Sequence, residues 1–326
     1  MDKFYIGIDL GGTNLKTSLF NNSFIKIHEV RVPTKAILGS DYVINKIANT
    51  VSSLLNFHNL SSKDIICIGI GVPGILDVEN GISKFSPNFY NWENVNIVKF
   101  IESTLNIPTF IDNDVRVNLY GERYFGAGKD KDNIVLLTLG TGLGSGIIID
   151  GHILYGATSS VGEIGHMNMY RNGRSCKCGS SGCLGRYVSA LGMIQTLKDK
   201  LDRGEKSIIS DWINHDYNKI TANMISEAFD LEDTVAISTL YETGELLGYG
   251  LVNVINMYNP EIIIIGGGMS KAGDRLLKKT REVIKNHALK ISAEACSIVP
   301  AELGDSAGMI GAAFYAKCRY EKNLNY

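Results

Sequence analysis

Apolar positions recur along the chain with two periods, one typical of strands and one typical of helices. Short apolar runs bounded by turn residues predict strands at residues 4–9, 15–20, 65–71, 108–115, 134–139, 147–150, 261–265 and 297–300. Longer stretches with apolar residues three or four positions apart predict helices at residues 41–57, 98–105, 118–125, 188–201, 222–230, 235–258, 275–287 and 306–318. Residues 84–92 are predicted to form an aromatic-rich loop. The interleaving of strands and helices predicts an α/β protein.

Two segments share one plan, which indicates an internal duplication. IGIDLGGTNLKTSLF at 6–20 and VLLTLGTGLGSGIIID at 135–150 each contain a strand, a Gly/Thr-rich turn and a returning strand. The returning strand argues against a dinucleotide-binding fingerprint, which needs a helix after the glycines. The first turn can offer backbone N–H groups to a phosphate, although an ordinary tight hairpin explains it equally well. Two hairpins of one design predict two related lobes, each directing a loop toward a shared cleft.

Residues 162–186, GEIGHMNMYRNGRSCKCGSSGCLGR, contain three thiols and an imidazole within one loop. His166, Cys176, Cys178 and Cys183 provide the sulfur and nitrogen ligands that suit tetrahedral Zn²⁺. Four protein ligands leave no position for a substrate water, so the predicted zinc site is structural. Disulfides or ordinary buried thiols are the alternatives, and disulfides require an oxidising compartment. A nucleic-acid-binding zinc finger has little support, because few basic residues accompany the cysteines.

The composition limits the classes of partner. A chain of 326 residues suits two packed lobes. The net charge of −2 gives no indication of a nucleic acid or a membrane surface as partner. No apolar run reaches the roughly 18–20 residues that a membrane span needs. Because no secretory signal is recognisable, we expect a cytoplasmic protein in which Cys67, Cys296 and Cys318 are reduced.

Several motifs together resemble those of the ROK family, which contains sugar kinases and sugar-sensing repressors. They cover nearly the whole chain and read DLGGTNLK at 9–16, GVPG at 71–74, SPN at 86–88, DND at 112–114, TLGTGLGSGIIIDG at 138–151, GEIGH at 162–166, CKCGSSGCL at 176–184 and IIIGGGMS at 263–270. DLGGT alone also occurs in other actin-like ATPases. The later motifs are specific in combination.

The resemblance implies an actin-like ATPase fold, of the ribonuclease H-like class, with two duplicated α/β lobes around a cleft and a structural zinc loop at 166–183. The first lobe is expected at 1–120, completed by the C-terminal helix 304–326, and the second, larger lobe at 121–303. ATP and Mg²⁺ are the implied cofactors. The residues implied to contact the nucleotide or its metal are Asp9, Gly11, Gly12, Thr13, Gly140, Thr141, Gly142, Gly266, Gly267 and Gly268.

The same resemblance implies a sugar site. Its expected residues are Gly74, Asn88, Asn113, Asp114, Glu163 and His166. Asp114 matches the general base, and a carboxylate within hydrogen-bond reach of the attacking hydroxyl is the natural proton acceptor. Zinc would fix one ring nitrogen of His166 and so direct the other toward the pocket. Alternatives stay open: Asp114 can cap a helix, Asn88 can form a turn, Glu163 can be a solvated loop carboxylate, and Asp9 can be structural.

The implied activity is ATP-dependent phosphorylation of a hexose hydroxyl, with C6 of glucose as the default and N-acetylmannosamine as the alternative. One position departs from the family. Its kinases typically have CLE where this chain has Cys183-Leu184-Gly185, and that Glu usually reaches the sugar near its anomeric end. Loss of one charge-assisted hydrogen bond costs about 1.5–3 kcal/mol of sugar affinity. The gap predicts tolerance of a C1-substituted sugar, such as a β-glucoside or disaccharide, or preference for another hexose such as fructose.

The non-enzyme alternative is a sugar-sensing regulator without a DNA-binding domain. Family repressors carry a winged helix-turn-helix before the DLGGT motif, and only eight residues precede Asp9 here, so we expect no such domain. Family members are commonly dimers or tetramers, and we expect a homo-oligomer. The expected partners are therefore a small-molecule sugar and ATP.

Overall fold

The computed structural model describes residues 3–86 and 88–324, so Pro87 of the SPN motif lies outside the described residues. Contacts divide the chain into two compact units. The first unit contains Met1–Asp130, Leu154–Val161 and Glu302–Tyr326, and the second contains Lys131–Ile153 and Gly162–Ala301. The division predicted from the sequence places a border at residue 120, within a helix that belongs wholly to the first unit. As a functional division, the lobes 1–120 with 304–326 and 121–303 stay a prediction.

The regular elements follow one another in the interleaved order of an α/β protein. The strands are β1 Phe4–Leu10, β2 Asn14–Asn21, β3 Lys26–Pro33, β4 Ile65–Val72, β5 Ile75–Asp77, β6 Ile82–Phe85, β7 Glu93–Asn96, β8 Thr109–Asn113, β9 Ile134–Leu139, β10 Leu143–Ile149, β11 His152–Ile153, β12 Ile262–Gly266 and β13 Ser297–Pro300. The α-helices are α1 Ser40–Phe57, α2 Ile97–Leu105, α3 Asp114–Phe125, α4 Gly185–Val188, α5 Ala190–Asp202, α6 Ile208–Trp212, α7 Ala222–Asp230, α8 Thr234–Tyr258, α9 Asp274–His287, α10 Lys290–Ala295 and α11 Ala307–Leu324.

The first unit is built on a five-stranded sheet in the order β3-β2-β1-β4-β8. Strand β1 is antiparallel to β2 and parallel to β4, and β4 is parallel to β8. Apolar residues of α1 and α2 join one core with β1 and β4, while α11 packs on β1 and β4 and against α3. Gly7 and Gly69 permit this second contact, because a Cβ at either would overlap a backbone carbonyl of α11.

A small sheet, β5-β6-β7, also belongs to the first unit, and it corrects one prediction. Part of the stretch predicted as an aromatic-rich loop forms β6, and β7 begins directly after it. Trp92 is buried, and its Nε1 donates a hydrogen bond to Ser83 Oγ at 2.8 Å. These strands are only three or four residues long, so alternation of apolar and polar residues could not reveal them.

The second unit repeats the hairpin-led plan around a five-stranded sheet in the order β11-β10-β9-β12-β13. Strands β9 and β10 are antiparallel, whereas β12 is parallel to both β9 and β13. Helix α8 packs against α9, α7 and α5. Both predicted Gly/Thr hairpins are therefore confirmed, one in each unit. Among residues 3–86 and 88–324, no helix combines the length and apolar character that crossing a membrane requires.

Two helix predictions need correction. Helix α3 begins at Asp114, four residues before the predicted start at 118, because the Asn113 side chain caps it by accepting a hydrogen bond from Val115 N at 3.0 Å. The predicted helix at 188–201 is interrupted at Ser189. That residue is extended and caps α5 through a hydrogen bond from Gly192 N.

Candidate functional site

The turn of the first hairpin lies between β1 and β2 and is held by Thr34. The Thr34 hydroxyl donates to the Gly11 carbonyl at 2.6 Å, and its backbone N–H donates to the Thr13 carbonyl at 2.9 Å. A Cβ on Gly12 would lie 3.4 Å from Cβ of Asn88. The structure therefore brings the predicted phosphate turn and the predicted sugar residue Asn88 together within the first unit.

Asp9 is the penultimate residue of β1 and pairs with Lys16 on the returning strand. The ammonium of Lys16 lies 3.5 Å from Asp9 Oδ2 and 3.6 Å from Asp305 Oδ1. Burial raises the pKa of Asp9, although the charge of Lys16 opposes the shift. Lys16 is not among the residues predicted for the site. The antiparallel register of a tight hairpin was the signal that could have found it, because it pairs these two residues directly.

The DND motif spans the junction between β8 and α3. Asn113 Nδ2 lies 3.4 Å from the carbonyl oxygen of Gly74, so two predicted sugar residues are neighbours. Asp114 is half-buried in the first turn of α3, and Val115 N donates to its Oδ1 at 3.0 Å. Desolvation, followed by the negative charge of Asp9, raises the pKa of Asp114 to about 6.

In the second unit, a pocket of about 490 Å³ opens beside the second hairpin turn. Gly140, Thr141 and Gly268 are among its lining residues. A Cβ at Gly140 or Gly268 would meet no atom within 4 Å, so their backbone is open to a ligand. Arg275 also lines the pocket, and its Nε donates to Asp230 Oδ1 at 2.6 Å. Neither Arg275 nor Asp230 is among the residues predicted for the site.

Among the described residues that line this pocket, three glycines predicted to contact the nucleotide are absent: Gly142, Gly266 and Gly267. Gly142 closes the hairpin turn, where its carbonyl accepts from Gly140 N at 2.9 Å, and its Cβ position is also open. Gly266 is the last residue of β12. Gly267 has a φ of +81° and passes so close to the backbone of Leu139 that a Cβ would overlap it. The glycine at 267 is thus required by packing and by backbone conformation.

The four predicted zinc ligands form one cluster in the second unit. Their ligand atoms all lie within 4.8 Å of one another. His166 Nδ1 is 3.7 Å from Cys176 Sγ, and Cys178 Sγ is 3.7 Å from Cys183 Sγ. Zn–S bonds of about 2.3 Å in a tetrahedron place two sulfurs about 3.8 Å apart, so the spacing fits zinc. A hydrogen bond from the backbone of Ser180 lowers the pKa of Cys178 to about 7, which favours the ligating thiolate.

Glu163 and His166 stand one helical turn apart beside this cluster. The Nδ1 atom of His166 faces the cysteines, and its Nε2 atom lies 3.9 Å from Glu163 Oε2. The Glu163 side chain is 63% exposed. Ser145 holds the backbone around Glu163, because its Oγ donates to the Gly162 carbonyl and accepts from Ile164 N at 3.2 Å. A ring fixed on metal through Nδ1 would thus present Nε2 to the neighbouring carboxylate.

Comparison with known proteins places this arrangement in a family. The family model described as "ROK family" matches residues 5–319. The chain belongs to the ROK family. A ROK relative, a glucokinase of Halalkalibacterium halodurans, is 33% identical over 318 residues, which cover 97% of this chain and 96% of the relative. A xylose repressor of Caldicellulosiruptor bescii is 31% identical and aligns with 94% of this chain and 76% of its own length.

A solved ROK structure shows the same fold. The ROK family glucokinase from Streptomyces griseus, in complex with glucose and AMPPNP, superposes with a TM-score of 0.80 at 28% identity, covering 97% of this chain and 99% of that one. The predicted α/β fold of the actin-like ATPases is therefore confirmed. ROK relatives of this chain include both glucokinases and repressors, so the choice between enzyme and regulator depends on the site itself.

Proposed function

We propose that this ROK protein is an ATP-dependent sugar kinase that transfers the γ-phosphoryl group of ATP to a hexose hydroxyl, at C6 of glucose in the first instance. Asp114 is the proposed general base. The other proposed sugar contacts are Gly74, Asn88 and Asn113 in the first unit and Glu163 and His166 in the second. A sugar and ATP are its proposed partners in the cytoplasm, where it forms a homo-oligomer.

The observation that carries the proposal is the environment of Asp114. A general base works best when its pKa lies near the working pH, and the pKa of Asp114 is raised to about 6 by burial and by the charge of Asp9. Its neighbour Asn113 is held by the α3 cap and by Gly74, so the first turn of the helix presents a fixed carboxylate. A regulator that only binds sugar has no need of a base tuned in this way.

The nucleotide is proposed to bind through backbone and charge. The open backbone at Gly140 and Gly268 and the pocket that they line fit an adenosine group, and Asp9 is a carboxylate suited to hydrated Mg²⁺. Bound Mg²⁺ neutralises the charge that develops on the phosphoryl oxygens. Lys16 adds a positive charge next to Asp9, which supports the same role for the first hairpin.

The surroundings of Gly185 support substrates other than glucose. Gly185 begins α4, and a Cβ placed there would lie 3.3 Å from the carbonyl oxygen of Gly165 in the GEIGH motif. The missing glutamate therefore belongs beside a segment that carries Glu163 and His166. This placement supports β-glucoside or fructose phosphorylation as the second candidate, with N-acetylmannosamine as the third. The match to xylose repressors supports one non-enzyme candidate, a sugar sensor without kinase activity.

The test is an ADP-release assay with Mg-ATP against glucose, N-acetylmannosamine, N-acetylglucosamine, mannose, fructose and cellobiose. The Asp114→Asn variant is assayed in parallel. We expect turnover of at least one sugar in the wild type, and a loss of at least about 100-fold in the variant because a general base contributes about 10²–10⁴-fold. Wild-type protein that binds sugar, shown by a raised melting temperature, without turning over any of them would instead establish the sensor.

A further inference from the structure

A buried ionic network lies directly behind the DND motif, and the kinase mechanism does not use it. Asp112 is fully buried at the end of β8. Its Oδ1 accepts a hydrogen bond from Arg116 Nε at 2.6 Å, and its Oδ2 accepts one from the Tyr155 hydroxyl at 2.6 Å. Arg116 is only 5% exposed. The two residues that hold Asp112 come from different parts of the chain, since Tyr155 is 43 positions away.

The network fastens residues 154–161, which we call the crossover segment. This segment belongs to the first unit, although the chain on both sides of it belongs to the second. Arg116 Nη1 donates to the Ser159 carbonyl at 2.8 Å, and its guanidinium lies 4.9 Å from the ring centroid of Tyr155. The segment closes on itself through Val161 N, which donates to the Tyr155 carbonyl at 3.2 Å. Arg116 and Asp112 thus hold the segment at two points.

The chemistry of the network suits a role in fixing the geometry of the segment better than a role in stabilising the fold alone. Burying a charge pair is costly, and apolar residues of similar volume often serve stability as well or better. Here the hydrogen bonds of Asp112 and Arg116 are charge-assisted and directional, so they define the position of Tyr155 sharply. Burial and the negative charge of Asp112 raise the pKa of Tyr155, so its hydroxyl remains a neutral donor across the physiological pH range.

Chain connectivity links this network to a proposed sugar ligand. Asp112 directly precedes Asn113 and Asp114, while the crossover segment runs straight into Gly162 and Glu163. Beyond Glu163, the backbone is held again, because Ser145 Oγ accepts from Ile164 N at 3.2 Å. Ser145 Oγ also donates to the Gly162 carbonyl, so the backbone of Glu163 is held on both sides within its own unit, and the crossover segment fixes the chain that leads into it.

We propose that Asp112, Arg116 and Tyr155 are positioning residues that set the place of Glu163 for sugar binding by holding the crossover segment. They act through the backbone and do not themselves contact the sugar. This inference rests on the proposed kinase function. It assigns a task to the first Asp of DND and to an Arg and a Tyr that the sequence analysis had not connected with the site.

The test compares Tyr155→Phe with Tyr5→Phe. Tyr5 is a buried tyrosine of the same unit, stacked on Phe24 at 4.9 Å, and it serves as the control for loss of a hydroxyl in a packed environment. In Tyr155→Phe, we expect the KM of the sugar to rise about tenfold, with kcat, the KM of ATP and zinc content unchanged. Hydrogen exchange of the peptide covering residues 154–166 is expected to become faster. Tyr5→Phe should change none of these.

A second variant, Arg116→Lys, keeps a positive charge near Asp112 but removes the fork that reaches Ser159, and we expect the same rise in the sugar KM. An unchanged sugar KM in both variants, or equal effects on the sugar and ATP constants, would overturn the inference. If the wild type turns over no sugar, the kinase proposal fails, and the same variants are then compared by calorimetric sugar binding. If Tyr155→Phe and Arg116→Lys then bind sugar as tightly as the wild type, the positioning role is overturned independently of the kinase proposal. If the wild type binds no sugar, the kinase proposal and the positioning role are both overturned.

Discussion

The carboxylate of Asp9 and the ammonium of Lys16 lie 3.5 Å apart across the first hairpin, at directly paired positions of β1 and β2. Both side chains are largely buried, and Lys16 also reaches Asp305 at 3.6 Å. A lysine held in this way places a fixed positive charge beside the predicted phosphate turn. Phosphoryl transfer depends on neutralising charge, so the pair is suited to that step.

We therefore predict that Lys16→Met lowers kcat by at least about tenfold, because loss of one fixed charge that stabilises a transition state commonly costs more than that. The sugar KM should change little. Arg31→Met is the matched control, since Arg31 contacts the same Asp305, at 3.9 Å, with a side chain that is 52% exposed. Steady-state kinetics of the two variants decide the matter. Equal kcat values in both would show that Lys16 serves only the hairpin.

The raised pKa of Asp114 predicts the pH dependence of the reaction. A general base must be deprotonated, so kcat/KM should fall as the pH decreases through about 6, the value to which burial and Asp9 raise the pKa. An unshifted carboxyl would give a decline near pH 4 instead. A pH profile of the free enzyme, with coupling enzymes checked at each pH, measures this directly. A profile that stays flat down to pH 5 would contradict the role of Asp114.

The same shift predicts a gain in stability when the charge is removed. The native pKa of about 6 exceeds the unfolded value, so ionisation of Asp114 favours the unfolded state and stability is lost as the pH rises from about 4 to 6. Asp114→Asn should therefore raise the free energy of unfolding by about 1–2 kcal/mol at pH 7, less than the full shift because the residue is only half-buried. The gain should disappear near pH 4. Denaturation curves at both values check it, and a less stable variant at pH 7 would contradict the prediction.

The sequence predicted elements with strong periodicity and missed those without it. Helix α8 covers 25 residues with an apolar face, and its predicted and observed bounds differ by one residue. Strand β3 was not predicted, because it lies at the edge of its sheet and no residue in it is fully buried. The start of helix α3 is missed because residues 114–117 alternate polar and apolar side chains, a pattern typical of a strand.

Site residues divide in the same way. The cluster of four potential metal ligands could be predicted because His166 and the cysteines are close in sequence and few other functions require such a set. The partners of Asp112 could not, because the contact with Tyr155 joins positions 43 apart and follows only from the fold. Lys16 was an intermediate case. The sequence predicts the hairpin but does not specify which residues pair across it, and the pairing of Lys16 with Asp9 depends on that register.

Zinc binding can be tested at a ligand whose loss does not disturb the core. Cys178 is exposed, whereas Cys183 is only 1% exposed, so Cys178→Ser removes a ligand without leaving a cavity. We expect about one zinc per chain in the wild type and a loss of more than about 100-fold in zinc affinity in the variant, since even partners of the ligands are worth about 10–100-fold. Metal analysis after dialysis against a chelator measures both.

The control for the zinc experiment is Cys296→Ser, which alters a half-buried thiol outside the loop and should keep its zinc. Because His166 Nδ1 faces the cysteines, bound zinc would fix the ring, and loss of zinc should also weaken sugar binding, with a rise in the sugar KM in Cys178→Ser. Wild-type protein purified without zinc, yet with the same sugar KM before and after zinc addition, would contradict this link.

Gly185 offers a change of specificity in a single substitution. Its φ is not in the left-handed region. The nearest atoms to an added Cβ are the Gly165 carbonyl oxygen at 3.3 Å and Leu143 Cβ at 3.5 Å, so a side chain fits with a small adjustment.

Gly185→Glu should lower the KM of the free hexose by about tenfold or more, because it restores a charge-assisted hydrogen bond. Turnover of cellobiose or a β-glucoside should fall, because the new side chain fills the space of the C1 substituent. Gly185→Gln, of equal size but neutral, should also exclude the C1-substituted sugars, with a smaller gain for the free hexose. A wild type that phosphorylates glucose and rejects every C1-substituted sugar would show that the space at Gly185 serves another purpose.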